Sequence, residues 1–185
     1  SLPDFDPNQS SGISDSARFD RNALGVYEMG STLKIFTTAM ALETRVVGMA
    51  SGYDATRPIQ VSRYWIRDHS AKRRWLSVPE IFIYSSNIGS ARMAMAVGAK
   101  RQRAFLGRFG LLSRPSIQLA EVGAPLTPTT WRDINTMTIG FGHGIAVSPV
   151  QLVGGVAAVV NGGVFFPPSL VVRSKDTPII GTRVL

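Results

Sequence analysis

The sequence predicts an α+β chain in which helix dominates. Three observations carry that reading. Two capping boxes with an early proline, Ser77-Val78-Pro79-Glu80 and Ser148-Pro149-Val150-Gln151, mark helix starts. The stretch after Ser31, with Leu33, Ile35, Phe36, Ala39, Met40 and Leu42, leaves few polar faces and reads as a mostly buried helix. The β-type stretches, around Ile59–Val61, Tyr64–Ile66 and Val164–Val172, are short and few beside the helices.

Taken in order, residues 1–22 are loop-like, since Ser1-Leu2-Pro3-Asp4-Phe5-Asp6-Pro7-Asn8 is turn chemistry. A helix is expected from Ser31 to about Val47, with Gly48 as its stop. Residues 51–76 are polar, aromatic and basic, with strands around Ile59–Val61 and Tyr64–Ile66. The first capping box opens a helix to about Tyr84, and Ser85-Ser86-Asn87 interrupts it. Helices follow over Ile88–Val97 and Lys100–Phe109, the latter ending at Gly110. Residues 111–130 are loop-rich, and Gly140-Phe141-Gly142-His143-Gly144 is a glycine-dense turn. The second capping box opens a small, apolar helix to about Val160, and Val164–Val172 reads as a strand broken by Pro167-Pro168.

Composition narrows the function classes. The chain of 185 residues carries 20 Lys+Arg against 12 Asp+Glu, a formal net charge of +8, and its pI is about 10.6. Such a charge suits nucleic acid or an anionic membrane surface. No aromatic-basic interleaving or recognition motif accompanies it, so a solvated, arginine-rich surface is the stronger reading and no nucleic-acid partner is expected. The absence of cysteine excludes a disulfide scaffold, a thiolate metal site and a cysteine nucleophile. His69 and His143 lie far apart and near no acidic cluster, so neither a metal nor a cofactor is expected. No apolar run reaches the ~18 residues of a membrane span.

The chemistry is concentrated in two short motifs. A serine hydroxyl becomes a useful nucleophile when a nearby base takes its proton, and a lysine whose pKa is lowered can be that base. Residues three apart on a helix are neighbours, and Ser31-Thr32-Leu33-Lys34 places this pair at a helix start. Gly30 allows close backbone approach there, and the helix N-terminus favours an oxyanion near the Ser31 amide. Eighteen serines and four lysines give about 0.4 accidental Ser-x-x-Lys pairs, so this pair alone is weak. Ser85-Ser86-Asn87 is the one Ser-x-Asn in the chain, set between two helices. Its hydroxyl can relay a proton and its carboxamide can bind a substrate amide. Asn87 is also a reasonable helix N-cap.

Tyr27-Glu28-Met29-Gly30-Ser31-Thr32-Leu33-Lys34 resembles the first motif of penicillin-binding proteins, and Tyr84-Ser85-Ser86-Asn87-Ile88-Gly89 resembles their second, at a similar spacing. Ser1–Asn8 and Gly140–Leu152 resemble flanking segments of the same family, so the resemblance covers nearly all of the chain. It is nearest to class B transpeptidases of the septal, cell-division type from Gram-negative bacteria.

The resemblance implies a serine β-lactamase/transpeptidase-like fold and peptidoglycan cross-linking by acyl transfer. Ser31 would be the nucleophile toward D-Ala-D-Ala stem peptides, and Lys34 its base. Ser85 would shuttle a proton to the leaving group, while Asn87 would hold the substrate amide and contact Lys34. It implies acylation by β-lactam antibiotics and action at the periplasmic face of the inner membrane. The anchor, and the contacts with divisome membrane proteins, would lie outside this chain.

The sequence departs from the family at Met29, where many members have proline, and in having no Lys-Thr-Gly or Lys-Ser-Gly. Neither Gly181-Thr182-Arg183 nor Lys175-Asp176-Thr177 is that motif. Residues 1–185 are therefore expected to be a partial transpeptidase domain cut at both ends, mainly its helical part, with much of the central antiparallel sheet missing. The helices from Ser31 and Pro149 would then expose apolar faces, and the chain alone would have little activity.

Three alternatives share the fold: a D,D-carboxypeptidase, a β-lactam sensor and a β-lactamase. The last needs a deacylating glutamate, for which Glu121 has the wrong surroundings. A non-catalytic basic binding module is the remote alternative. His143 is read as a turn residue, Trp65, Trp75 and Trp131 as packing residues, Lys72-Arg73-Arg74 as a solvated loop, and Met93 and Met95 as core.

Overall fold

The computed structural model describes residues 2–9, 11–172 and 180–185. Ser1 and Lys175-Asp176-Thr177, which enter the sequence reading, lie outside the described residues. The first element, α1 (Asp15–Arg18), is a single turn capped by Ser14. A 3-10 turn over Gly30–Leu33 runs into α2 (Lys34–Glu43). Two small antiparallel ribbons follow. Strand β1 (Gly52–Asp54) pairs with β4 (Trp75–Ser77), and β2 (Ile59–Val61) pairs with β3 (Tyr64–Ile66) in the register Ile59 to Ile66.

The capping box at Ser77 opens α3 (Val78–Ile83), and α4 (Asn87–Val97) and α5 (Ala99–Arg108) follow. Then come α6 (Asp133–Ile139), α7 (Pro149–Val160) and a third ribbon of β5 (Val164–Phe165) with β6 (Thr182–Arg183).

The core is built around α2 and α4. Leu33, Phe36, Met40 and Ala41 meet Ile88, Met93 and Val97, with Phe105, Phe109, Ile139 and Ala158 closing the sides. Phe109 stacks on Phe105 at 4.6 Å between ring centroids and takes the edge of Phe36 at 5.6 Å. Helix α4 is buried on most of its circumference because small residues let its neighbours come close. A Cβ on Gly89 would sit 2.5 Å from Ile81 of α3.

Gln151 extends its capping role. Its Oε1 accepts from the Ser148 amide, while its Nε2 donates to the carbonyls of Gly110 and Ser113 at 2.9 and 2.8 Å. Gln151→Ala is expected to cost about 2–3 kcal/mol, because it strands partly buried carbonyls and weakens a cap together. A denaturant midpoint indistinguishable from wild type would refute this.

Four expectations need correction. The helix from Ser31 stops at Glu43 rather than Val47. Thr44 Oγ1 folds back on the Met40 carbonyl at 2.7 Å and Arg45 adopts φ 57°, so the chain turns before Gly48. The strand expected over 164–172 is only two residues long, since Pro167 and Pro168 carry no N–H for a ladder. Trp65 and Trp75 are half exposed, and among the three tryptophans only Trp131 packs on the core. Met95 is half-buried, whereas Met93 is core. On α7, Val153 and Val160 are 67% and 73% exposed, while Ile35, Ala39 and Leu42 of α2 are half-buried.

Candidate active site

The site forms where the 3-10 turn passes into α2. Residues i and i+3 eclipse in a 3-10 turn, closer than the offset of an α-helix. Ser31 lies within that turn and Lys34 is the first residue of α2, and Lys34 Nζ stands 3.0 Å from Ser31 Oγ. Ser31 is exposed, whereas Lys34 is 2% exposed, so the hydroxyl faces solvent and the amine stands behind it.

The turn between α3 and α4 brings in the second motif. Ser85 has φ 53°, a left-handed conformation that a non-glycine residue holds only when its surroundings fix it. That twist aims both its carbonyl and its hydroxyl at Lys34 Nζ, at 2.6 and 2.8 Å. Asn87 Oδ1 accepts from the same nitrogen at 2.7 Å, and its Nδ2 donates to the Arg67 carbonyl at 2.9 Å, which fixes the orientation of the carboxamide. All four residues singled out by the sequence thus meet at one amine. One alternative is corrected: the N-cap of α4 is Ser86, whose Oγ accepts from the Gly89 amide at 2.9 Å, so Asn87 is left for Lys34.

The arrangement suits proton transfer. Burial lowers the Lys34 pKa to about 8, and the negative charge of Asp68 opposes part of that shift. Two of the four neighbours, the Ser85 carbonyl and Asn87 Oδ1, can only accept. A neutral amine spends its two N–H groups on those and leaves its lone pair to the hydroxyls of Ser31 and Ser85. The free amine is thereby poised to take a proton from one serine and exchange it with the other.

The glycine-dense turn packs against the segment that carries Ser31. Gly30 N donates to the Gly142 carbonyl at 3.2 Å. Gly142 has φ 98°, and a Cβ there would lie 1.7 Å from the Gly30 carbonyl oxygen. Thr37 of α2 donates to the Gly140 carbonyl at 2.8 Å, and Tyr27 and Val147 exchange backbone hydrogen bonds at 2.9 and 3.0 Å. Glu28 adds an exposed clamp, accepting from the Gly144 amide at 2.7 Å and meeting His143 Nδ1 at 3.1 Å, and both hold its carboxyl below the usual range. His143 is therefore a turn residue paired to Glu28, and among the described residues no hydrogen bond links it to the four-residue cluster.

Lys72, Arg73 and Arg74 are exposed, with Lys72 Nζ over the Tyr84 ring at 4.5 Å and Arg74 paired to Glu80 at 2.7 Å. Glu121 is exposed and makes no hydrogen bond to the cluster among the described residues.

Sequence reasoning missed Asp68 and the Arg67 carbonyl, which hold the second motif from 18 to 20 residues away. The available signal was charge: Asp68 is the one acid among six Arg and Lys residues over 57–74.

The family profile described as the penicillin binding protein transpeptidase domain matches residues 1–184. A probable peptidoglycan D,D-transpeptidase FtsI from Caulobacter vibrioides is 40% identical over 185 residues, which is 100% of this chain and 31% of that protein. The peptidoglycan D,D-transpeptidase FtsI of Escherichia coli is 31% identical over 184 residues, covering 98% of this chain and 31% of its own length. The apo transpeptidase domain of penicillin-binding protein 3 from Burkholderia pseudomallei superposes with a TM-score of 0.83 at 27% identity, over 90% of this chain and 51% of that one. The chain spans about a third of the length of the curated relatives it matches.

Proposed function

Because the chain belongs to the family of penicillin-binding protein transpeptidase domains, we propose that Ser31, Lys34, Ser85 and Asn87 carry out serine acyl transfer on peptidoglycan stem peptides. Ser31 Oγ attacks the carbonyl carbon of the penultimate D-alanine, and its proton passes to Lys34 Nζ. The bond to the terminal D-alanine then breaks. The leaving nitrogen takes its proton through Ser85, whose hydroxyl lies 2.8 Å from Lys34 Nζ. Asn87 holds the substrate amide. An amine from a second stem peptide resolves the acyl-enzyme by the same steps in reverse, forming the cross-link and returning the proton to Ser31. A β-lactam enters the same path by its resemblance to D-Ala-D-Ala, and its acyl group stays on Ser31.

One observation carries this reading: a buried amine whose four hydrogen-bonding neighbours come from those three other residues. The relatives named FtsI support a septal, cell-division role, and we place that role, with divisome membrane proteins as partners, at the periplasmic face of the inner membrane as part of the same proposal. No described helix is long and apolar enough to cross a membrane. No Lys-Thr-Gly occurs in this sequence, and the substrate carboxylate is assigned to a strand outside it. Residues 1–185 are accordingly a partial domain in this reading.

Labelling with a fluorescent penicillin tests it. The full-length protein should label, Ser31→Ala should not, and the 185-residue chain alone should label weakly or not at all. Labelling of the full-length Ser31→Ala variant would refute Ser31 as nucleophile. Robust labelling of the isolated chain would refute the partial-domain reading.

A further inference from the structure

We propose that Asp68 is a positioning residue that holds the Ser85-Ser86-Asn87 turn against Lys34 and acts on that lysine through its negative charge as well. This rests on the reading of Ser31 and Lys34 as the acylating pair.

The geometry is specific. Asp68 Oδ2 accepts from Ser86 Oγ at 2.8 Å and Oδ1 accepts from the Ile88 amide at 2.9 Å. The two contacts fall on either side of Asn87. The neighbouring Arg67 carbonyl takes the Asn87 carboxamide at 2.9 Å, so two consecutive residues grip three consecutive ones. On the opposite side the turn is tied to α3, by Ser85 N to the Phe82 carbonyl at 3.1 Å and Ser86 N to the Ile81 carbonyl at 2.9 Å. The left-handed Ser85 is thus tied to α3 on one side, while the residue that follows it is held by Asp68, which is how a strained residue is kept in place.

Asp68 sits in strongly basic surroundings yet spends both oxygens on the turn. Arg67, His69 and Arg73 line the same open cavity, but among the described residues no ion pair engages Asp68. Ser86, 1% exposed, is bound to Asp68 and to the Gly89 amide together, so the carboxylate also helps to start α4.

The same carboxylate favours the protonated amine of Lys34 against the effect of burial. Among the described residues the groups hydrogen-bonded to Lys34 are uncharged: Ser31 from its own turn, and Ser85 and Asn87 from the second motif. His143 and Glu28, on the glycine-dense turn and the segment before Ser31, are exposed and paired to each other.

The test follows the rate of Ser31 acylation by a fluorescent penicillin in the full-length protein between about pH 6 and pH 9.5, a window around the lowered Lys34 value. A neutral amine is the active form, so the rate rises with pH to a plateau. Asp68→Asn keeps the size but removes the charge. Its midpoint should fall by about half a unit or more, since a nearby opposite charge no longer favours the ammonium. Its plateau should fall roughly 10-fold, because one acceptor oxygen becomes a donor and the grip on the turn is lost.

Asp68→Glu, which restores the charge, should bring the midpoint back. A merely structural role would lower the plateau and leave the midpoint in place, and that result overturns the proposal, as does an unchanged profile. Should Asp68→Asn fail to fold, Ser86→Ala decides. It keeps the charge, so a wild-type midpoint with a lowered plateau is expected, and an unchanged plateau or a shifted midpoint overturns the proposal. Wild-type protein that does not label at Ser31 would refute the acylation reading itself. A labelled wild type with an unmoved Asp68→Asn midpoint would refute only the role of Asp68.

Discussion

Replacing Lys34 with alanine is expected to slow acylation of Ser31 by about 10³-fold or more, within the range general-base groups contribute. Two losses combine. Ser31 loses the amine 3.0 Å from its hydroxyl, and the Ser85 carbonyl and Asn87 Oδ1 lose a common donor. The pH dependence separates them. With a Lys34 pKa lowered to about 8 by burial, the wild-type rate should climb as pH rises through that value, because deprotonation creates the base. Lys34→Ala should lose this limb.

Lys34→Arg offers a sharper control. A guanidinium can donate to the Ser85 carbonyl and Asn87, but it stays protonated throughout the accessible range. It should restore much of the stability lost by the alanine variant and little of the rate. A Lys34→Arg variant with a wild-type rate and pH profile would rule out Lys34 as the base.

The second large effect is expected at Gly142. Gly142→Ala places a methyl 1.7 Å from the Gly30 carbonyl oxygen on a backbone at φ 98°. Neither backbone can yield cheaply, since Gly142 is part of a turn bonded to Gly30 and Gly30 opens the 3-10 turn that holds Ser31. A loss of about 3 kcal/mol or more is expected, at the severe end for a single substitution. Surviving folded protein should acylate poorly, because the clash is relieved by moving the Ser31 turn.

Gly12→Ala is the control. Gly12 also has positive φ, at 76°, but a Cβ there meets nothing within 4 Å. It should cost only the backbone term, about 1 kcal/mol. Equal denaturant midpoints for the two variants would refute the close-approach argument.

How much of this was legible in the sequence depends on distance along the chain. Ser77 with Glu80 and Ser148 with Gln151 are hydrogen-bonded units four residues long, so α3 and α7 could be placed from their first turns. Strands β2 and β3 are local as well, since they pair across the two residues Ser62 and Arg63. Helix α6 was not read, because four of its seven residues, Ile134, Thr136, Thr138 and Ile139, are β-branched and weak helix formers. Tertiary contacts hold it instead, including the Thr136 carbonyl accepting from buried Gln102.

The site divides the same way. Ser31 and Lys34 are local neighbours, and Ser85 and Asn87 form a compact motif. What joins the two, and the Asp68 contacts behind them, spans 18 to 53 residues of chain. No local spacing encodes those contacts, which depend on how the β2–β3 ribbon, α2 and the α3–α4 turn pack.

The ring of acceptors around Lys34 also bears on preorganisation. A lysine side chain loses roughly 1.5–2 kcal/mol of rotamer freedom when it is fixed in one conformation. Here that freedom is surrendered during folding, because Ser31, Ser85 and Asn87 hold the amine before any ligand arrives. In the proposed reaction a substrate meets an amine already aimed, so its own binding energy remains free for aligning the scissile carbonyl with Ser31.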